Sequence, residues 1–532
     1  MLANIFDGIM NAISMGSLLA NLMGVTLGII FGALPGLTAA MGVALLIPLT
    51  FGMPAVEAFS ALLGMYVGAI YGGCITAILV GTPGTVSAAA TMLEGPALTA
   101  RGESRRALDM ATIASFVGGI VSALALIFIA PMLARAAMSF GAPEYFAVAV
   151  FGLTVVASLS SGHLVKGLIS ALAGLFLATI GLDPVTGDMR NTFDNPNLFN
   201  GLSLVPVLVG LFAVSQVLVT VEDVVRGVSL KESTVSKRGI SLKDLTGNVV
   251  NFIRSSVSAR LSASSRLRGP APRLSIAYGE AKRFSKHPEA FGKGTLEGVA
   301  ATESSNNGVT GGALIPLMTL GVPGDVLTAI LLGALMIQGL TPGPLLFQEH
   351  GATVNGIFAS FFVSNILILV VGLIAVRILG KVVLVPTAIL MSIVLTLCAI
   401  GSFAANNSTF DIGVMAAFGL LGYLMLKAGF PPAAHAARHD PRPARESNFR
   451  RALSLSRDDF STIFHQPHIL RHIGRQRLRR PQNHLGRIQG MQARGGLIHP
   501  HVFSGGAFMK RNLSRMFRTG VAAAAALLCA MP

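Results

Sequence analysis

The sequence predicts an all-α polytopic membrane protein of about 10–12 transmembrane helices, built as two repeats with Gly/Pro-broken intramembrane hairpins. Three observations predict it. First, charged residues make up 12% of the 532 and hydrophobic residues 52%, with mean hydropathy +0.68. A soluble domain normally carries about 25% charge. So few charges cannot cover so much apolar surface in water, and lipid is the fitting solvent. Second, apolar stretches long enough to cross a hydrocarbon layer of about 30 Å recur along the chain. Third, several of them contain Gly and Pro where a helix must break. Lipid tolerates such a break only where protein or a water-filled cavity surrounds it.

In order, the apolar stretches are 16–34, 38–54, 57–80, 108–139, 144–160, 163–181, 201–221, 312–338, 352–378, 383–404 and 411–428. Met1 to Asn21 lacks a basic n-region, so no cleavable leader is expected there. Trp is absent and Tyr numbers five, which leaves the usual interfacial aromatic belt thin. Cys74, Cys398 and Cys529 lie far apart in apolar sequence and suggest neither a disulfide nor a metal framework. Loop charge sets orientation. Arg101, Arg105 and Arg106 make the loop near 95–107 basic; Arg226, Lys231, Lys237, Arg238 and Lys243 do the same for 222–247. Asp183, Asp188 and Asp194 against Arg190 make 182–200 acidic. The first two loops are expected in the cytoplasm and the third outside. Lys282, Arg283, Lys286 and Lys293 place 280–293 with the cytoplasmic loops.

The formal net charge of +16 alone suggests a binder of nucleic acid or anionic membrane. Its location changes that reading. Residues 434–532 are net +13 and hold 8 of the 11 His, and 249–275 are net +5, which leaves the rest of the chain at −2. The tail arginines Arg475, Arg477, Arg479 and Arg480 have no aromatic interleaving, so no nucleic-acid partner is expected. The spans hold no Ser/His/Asp, paired-carboxylate or metal-ligand constellation, so no enzyme is expected.

Two segments repeat. Tyr71-Gly72-Gly73 precedes Gly81-Thr82-Pro83-Gly84 by seven residues, and Thr310-Gly311-Gly312 precedes Gly321-Val322-Pro323-Gly324 by eight. Pro removes a backbone donor and Gly permits turns, so Gly-x-Pro-Gly ends a half-helix inside the membrane. The freed N–H or C=O groups can then meet an ion. Broken segments at matching places in two halves point to a transporter's binding site. The alternative is that these glycines only let helices pack closely. An earlier break, Gly32-Ala33-Leu34-Pro35-Gly36-Leu37-Thr38, calls for a second-half partner near 260–276.

The substrate-binding candidates are therefore Pro35, Gly36, Thr38, Gly72, Gly73, Gly81, Thr82, Pro83, Gly84, Ser304, Gly321, Pro323 and Gly324. The polar run Ala301–Gly308 opens into the second Gly-Gly stretch. Its Glu303, Asn306 and Asn307 are the cation-binding candidates, with Glu303 either a cation ligand or a proton carrier. An ordinary capped helix start explains the run equally well. Asn406-Asn407-Ser408 with Asp411 reads as a loop.

At these residues the chain resembles the large membrane subunit of tripartite tricarboxylate transporters. The matching stretches are Gly32–Thr38, Tyr71–Gly84, Phe116–Gly119, Pro143–Phe146, Gly181–Gly187, Ser285–Asn307, Gly311–Gly324, Gly339–Phe347 and Asn406–Asp411. The resemblance implies a bacterial inner-membrane importer of tri- or dicarboxylates, coupled to Na⁺ or H⁺ and needing no cofactor. It implies two partners, a small four-span membrane subunit and a periplasmic solute-binding protein. It further implies inverted repeats, here 1–222 and 251–433 joined by a cytoplasmic linker, 223–250.

Two regions depart from that pattern. Where a second-half break is expected stands Ser258-Ala259-Arg260-Leu261-Ser262-Ala263-Ser264-Ser265-Arg266. Permitted codons for this run, read two bases on, encode Gly-Ala-Leu-Ile-Gly-Ile-Ile-Pro, a membrane-like break. The same exercise makes Ala434–Pro443 apolar. Asn448–Pro467 then resembles the family again, and the resemblance stops after His468. Met509–Arg518 followed by Val521–Met531 looks like a signal peptide, as if translation ran into a neighbouring gene, with a membrane-surface helix as the alternative. The segments 258–275 and 434–532 are thus atypical, and frame slips within them are one reading of the departure. A non-functional frameshifted product is the alternative to a working transport subunit.

Overall fold

A computed structural model describes residues 2–34, 36–141, 164–183, 188–225, 235–236, 239–264, 270–382 and 387–430. The expected span 144–160, residues 226–234 and 237–238 of the 222–247 loop, Pro35, Cys529 and the 434–532 tail lie outside them. The chain divides into two units, Met1–Ile463 and Phe464–Pro532, and every described residue belongs to the first.

The described chain is helical almost throughout. The helices are α1 (Leu2–Ala12), α2 (Met15–Ala33), α3 (Ala39–Leu49), α4 (Ala55–Leu79), α5 (Gly95–Ala100), α6 (Ser104–Ala137) and α7 (Leu164–Ala178). There follow α8 (Leu204–Leu208), a π-helical stretch Val209–Val214, and α9 (Ser215–Val225). The second half contains α10 (Leu242–Ser264), α11 (Pro270–Phe284), α12 (Leu296–Leu320), α13 (Val326–Ile337), α14 (Leu346–Glu349), α15 (Gly351–Val382), α16 (Thr387–Asn406) and α17 (Thr409–Lys427). One two-stranded antiparallel ladder, Gly181–Leu182 against Met189–Arg190, closes the acidic loop, where Arg190 pairs with Asp183.

Among the described residues seven helices are long and apolar enough to cross a membrane: α2, α4, α6, the run 204–222, α15, and the spans 389–406 and 409–427. The protein is a multi-pass membrane protein. The apolar helices α3 and α13 and the run 165–178 are shorter than a full crossing. Expected span 38–54 is the short α3, which ends at Leu49 just past Pro48. Expected span 312–338 is two helices, because α12 stops at Leu320 and α13 begins at Val326. Both differences have one cause: Pro and Gly end helices that apolar content alone would extend.

The two halves pack alike. Helix α2 lies on α4, and α10 lies on α12. Each half also lends its longest helix to the other, α6 packing on α12 and α15 on α4. Glycines permit the first of these contacts. Gly24, Gly28 and Gly32 face Gly64, Gly68 and Gly72 at four-residue spacing. A methyl added at Gly24 would sit 2.1 Å from the Ala61 carbonyl oxygen, and one at Gly68 2.6 Å from that of Val25. Small residues let helix backbones approach where lipid supplies no hydrophobic drive.

The loops expected on one side of the membrane meet. Ser236 N–H donates to Ser104 Oγ (2.8 Å), Arg101 donates to the Gly294 carbonyl (3.1 Å), and Arg106 bridges Glu103 (2.9 Å) and Asp244 (2.6 Å). Residues of all three loops therefore meet at one end of the bundle, with Arg101 and Arg106 supplying the basic side chains. The Arg106 guanidinium holds the Asp244 carboxyl down to about 2.

Candidate functional site

Helices α4 and α12 have 25 residues each and are the most deeply buried long helices of their halves. Each ends at the repeated motif. Val80 closes α4 before Gly81 turns at φ 71°, and Gly321 closes α12 at φ 65°. Only glycine enters that left-handed region without cost. After each turn the chain folds back onto its own helix. Gly84 N–H donates to the Gly73 carbonyl at 3.2 Å, and Gly324 lies against Ala313. The return spans eleven residues in both halves, since 84 meets 73 and 324 meets 313.

This geometry corrects the register of the repeat. The residue opposite the second break is Ala313, not Gly311 or Gly312. Gly311 instead abuts Ser122 of α6, whose hydroxyl accepts its N–H at 2.7 Å, and Gly312 faces open space. The Gly-Gly pairs therefore do different jobs in the two halves. Gly72 belongs to the α2–α4 packing, and Gly73 receives the break. A methyl at Gly84 would lie 2.0 Å from the Gly32 carbonyl oxygen and 3.0 Å from Gly73 Cα, so the two first-half breaks converge there.

The other candidates divide. Thr38 caps α3, its hydroxyl accepting the Met41 N–H at 3.1 Å. Gly36 rests on Thr220, which donates to its carbonyl at 2.8 Å. Thr82 is exposed, and Gly81, Pro83 and Gly84 are half-buried. Pro323 is buried behind the second turn. Pro35 lies outside the described residues.

The polar run 301–308 is not a helix start. Thr295 caps α12, so the run begins six residues past the cap and occupies the second to fourth turns of a buried helix. Glu303 is fully buried, with Thr91 and Ser115 hydroxyls (the latter at 3.3 Å) and Asn306 Nδ2 (3.4 Å) donating to it. Asn306 also reaches the Ile70 carbonyl of α4 at 3.4 Å, where the two long helices cross. Ser304 Oγ, Ser305 Oγ and both amide atoms of Asn307 are buried without a protein partner. Buried polar atoms normally have partners, so this cluster invites a ligand.

Each break also touches the other half's long helix. Thr91, in the 3₁₀ helix Val86–Leu93 that follows the first break, meets Thr302 and Glu303. Asp325, in the second break, accepts the Tyr66 hydroxyl of α4 at 2.7 Å and caps α13 through the Thr328 N–H at 2.7 Å. The first-turn amides of α13 are thus already met by a protein carboxylate. Glu94 is buried and takes four donors: Tyr278 Oη (2.6 Å) and the N–H groups of Gly292 (2.6 Å), Gly294 (2.7 Å) and Thr295 (2.9 Å). Burial first, then the Glu94 hydrogen bond and charge, push the Tyr278 phenol above its ordinary value. Gln338 plays the matching part in the other half, donating to the Thr50 carbonyl before α4 at 3.2 Å.

Sequence reasoning missed Thr91, Ser115, Tyr66, Glu94 and Asp325. Only Asp325 carried a local signal, an Asp directly after Pro-Gly that reads as a helix cap.

The profile described as "Tripartite tricarboxylate transporter TctA family" matches residues 18–436. An uncharacterized 52.8 kDa protein in the TAR-I ttuC' 3' region of Agrobacterium vitis is 35% identical over 468 residues, covering 88% of this chain and 93% of that protein. An uncharacterized protein in the TAR-II ttuC' 3' region of the same organism is 35% identical over 188 residues, covering 35% of this chain and 77% of that protein. No solved structure matches the chain.

Proposed function

Since the chain belongs to the tripartite tricarboxylate transporter TctA family, we propose that it is the transport subunit of a binding-protein-dependent secondary importer. It carries tri- or dicarboxylates across the bacterial inner membrane together with a coupling cation. A periplasmic solute-binding protein delivers the substrate, and a small four-span subunit completes the membrane complex. The reading is transport rather than catalysis.

One observation carries this reading. Two buried helices of equal length are each interrupted at Gly-x-Pro-Gly, fold back by the same eleven residues, and touch the opposite half. Paired broken helices at mid-membrane are how secondary transporters present backbone groups to ions and substrate. The substrate passes the breaks at Gly81–Gly84 and Gly321–Gly324, with Ser304 as a further substrate ligand deeper along α12, and the cation is held by Glu303, Asn306 and Asn307. Residues 1–222 and 251–433 form the two repeats, 223–250 the linker. The test is uptake of a labelled tri- and dicarboxylate panel by cells expressing the chain with both partners. Uptake needing all three proteins supports the reading; none for any carboxylate refutes it.

A second reading has its own support. The first-half helix α2 is apolar and crosses, whereas its packing counterpart α10 contains Arg254 and Arg260 and is not apolar enough to cross. The family match also ends at 436, beside the basic tail. Both fit frame slips at 258–275 and 434–532 in a gene for such a subunit, whose product would not transport. Sequencing that DNA and weighing the protein decides it: in-frame DNA with matching mass ends this reading.

A further inference from the structure

Tyr66 of α4 is fully buried, so its hydroxyl needs a partner. The partner comes from the other half. It is Asp325 Oδ2, at 2.7 Å, on the residue directly after the second break. The two oxygens of Asp325 divide the work. Oδ1 takes the N–H and the hydroxyl of Thr328, both at 2.7 Å, and so caps α13. Oδ2 holds Tyr66, so the cross-half bond can be removed without removing the cap.

The first break has no such bond. Aligning the two fold-backs, 84 with 324 and 73 with 313, sets Tyr66 against Asn306 and Asp325 against Thr85. Thr85 Oγ1 instead lies 3.1 Å from Ser87 Oγ, and among the described residues no hydrogen bond joins Thr85 to Asn306. Exposure follows the same division. Thr82 is exposed in the first break, with Gly81 and Pro83 half-buried, whereas Val322 is 6% exposed and Pro323 is buried. The breaks also stand toward opposite ends of the bundle. Gly81 faces Pro96, close before Arg101 of a basic loop. Helix α12 starts beside that loop, where Arg101 holds the Gly294 carbonyl, and its 25 residues carry the second break roughly 37 Å along the helix. The structure is therefore open at the break near the basic loops and shut at the opposite one.

We propose that Tyr66 and Asp325 are positioning residues of the transport path: their bond latches the second break shut, and its rupture opens that end as the first break closes. This rests on the transport reading above and adds to it the side chains that hold one of its gates. The physics of the bond ties rupture to access. An unpartnered phenol and carboxylate oxygen are costly away from water, so the latch parts only when water enters at that end. The bond exists only in the state with the second break shut. Removing it therefore shifts the balance toward the opposite state by the worth of the bond.

Thiol labelling of the full chain in lipid nanodiscs tests this without a substrate. Val322→Cys and Thr82→Cys are made separately in a chain whose Cys74, Cys398 and Cys529 are replaced by Ala, and each is treated with a small water-soluble maleimide. With Tyr66 in place, labelling should be slow at 322 and fast at 82. Tyr66→Phe should quicken labelling at 322 roughly tenfold or more, the worth of a hydrogen bond to a charged group, and slow it at 82. Asp325→Ser keeps a helix cap but is too short to reach Tyr66, so it should act as Tyr66→Phe does. Asp325→Asn both caps and accepts, so it should stay near the native rates. Equal labelling at 322 with and without the Tyr66 hydroxyl overturns the proposal. So does faster labelling at both positions, which simple loss of packing would give, or Asp325→Asn labelled as fast as Asp325→Ser. If Tyr66→Phe fails to fold, the two Asp325 variants decide alone. Loss of carboxylate uptake beside the expected labelling would count against the transport reading only, and unchanged labelling beside normal uptake against the latch only.

Discussion

Adding one methyl at Gly84 should cripple transport while leaving the chain inserted. The methyl would lie 2.0 Å from the Gly32 carbonyl oxygen and 3.0 Å from Gly73 Cα. Ordinary carbon–oxygen contacts need more than 3 Å or so, and both neighbours are backbone, which cannot rotate away. The break must therefore move outward by roughly 1 Å, and such overpacking costs about 1–3 kcal/mol. That cost falls on the state in which the break is folded back, so it shifts the balance between states by roughly 5- to 150-fold. Gly312→Ala is the control, because its methyl meets nothing within 4 Å. It should be neutral, or stabilise α12 by up to about 1 kcal/mol through helix propensity. The assay is carboxylate uptake beside thermal unfolding of the purified proteins. Equal uptake and unfolding temperature for Gly84→Ala and the native chain would refute the convergence of the first-half breaks.

Further outcomes follow from the same geometry. Glu94→Ala strands four donors and should cost at least about 2 kcal/mol, read as a lower unfolding temperature. Glu94→Gln removes the charge beside Tyr278, so that phenol should ionise at lower pH in a tyrosine absorbance titration. The Asp244 carboxyl titrates at about 2 when folded and near its ordinary value when unfolded. Its contribution is therefore present above about 4, is lost as pH falls from there toward 2, and should vanish from the acid-unfolding profile of Asp244→Asn. Gly68→Leu should separate α2 from α4 and cost about 1–3 kcal/mol or more in thermal unfolding.

The helical membrane architecture was legible in the sequence because hydropathy and length leave few alternatives. The breaks were legible for a similar reason: Gly-x-Pro-Gly removes donors and permits turns wherever it stands. Register was not. Spacing alone aligned Gly72-Gly73 with Gly311-Gly312, but the fold-back sets Gly73 opposite Ala313, and an alanine carries no turn signal. Glu303 stood out as an acid in an apolar stretch. Its partners Thr91 and Ser115 did not, because they come from elements about 190–210 residues away and look like ordinary small polar residues. Capping and burial explain the 301–308 run differently for a similar reason: Thr295, six residues earlier, takes the cap.

Thr82 offers the most direct measurement of whether carboxylates pass the first break, since it is the exposed residue of that motif. Thr82→Cys, in a chain whose Cys74, Cys398 and Cys529 are replaced by Ala, would be labelled with a small maleimide in the assembled complex. Addition of the transported tri- or dicarboxylate should slow labelling, and monocarboxylates should not. Labelling at the same rate with every carboxylate present would contradict a substrate path through Gly81–Gly84.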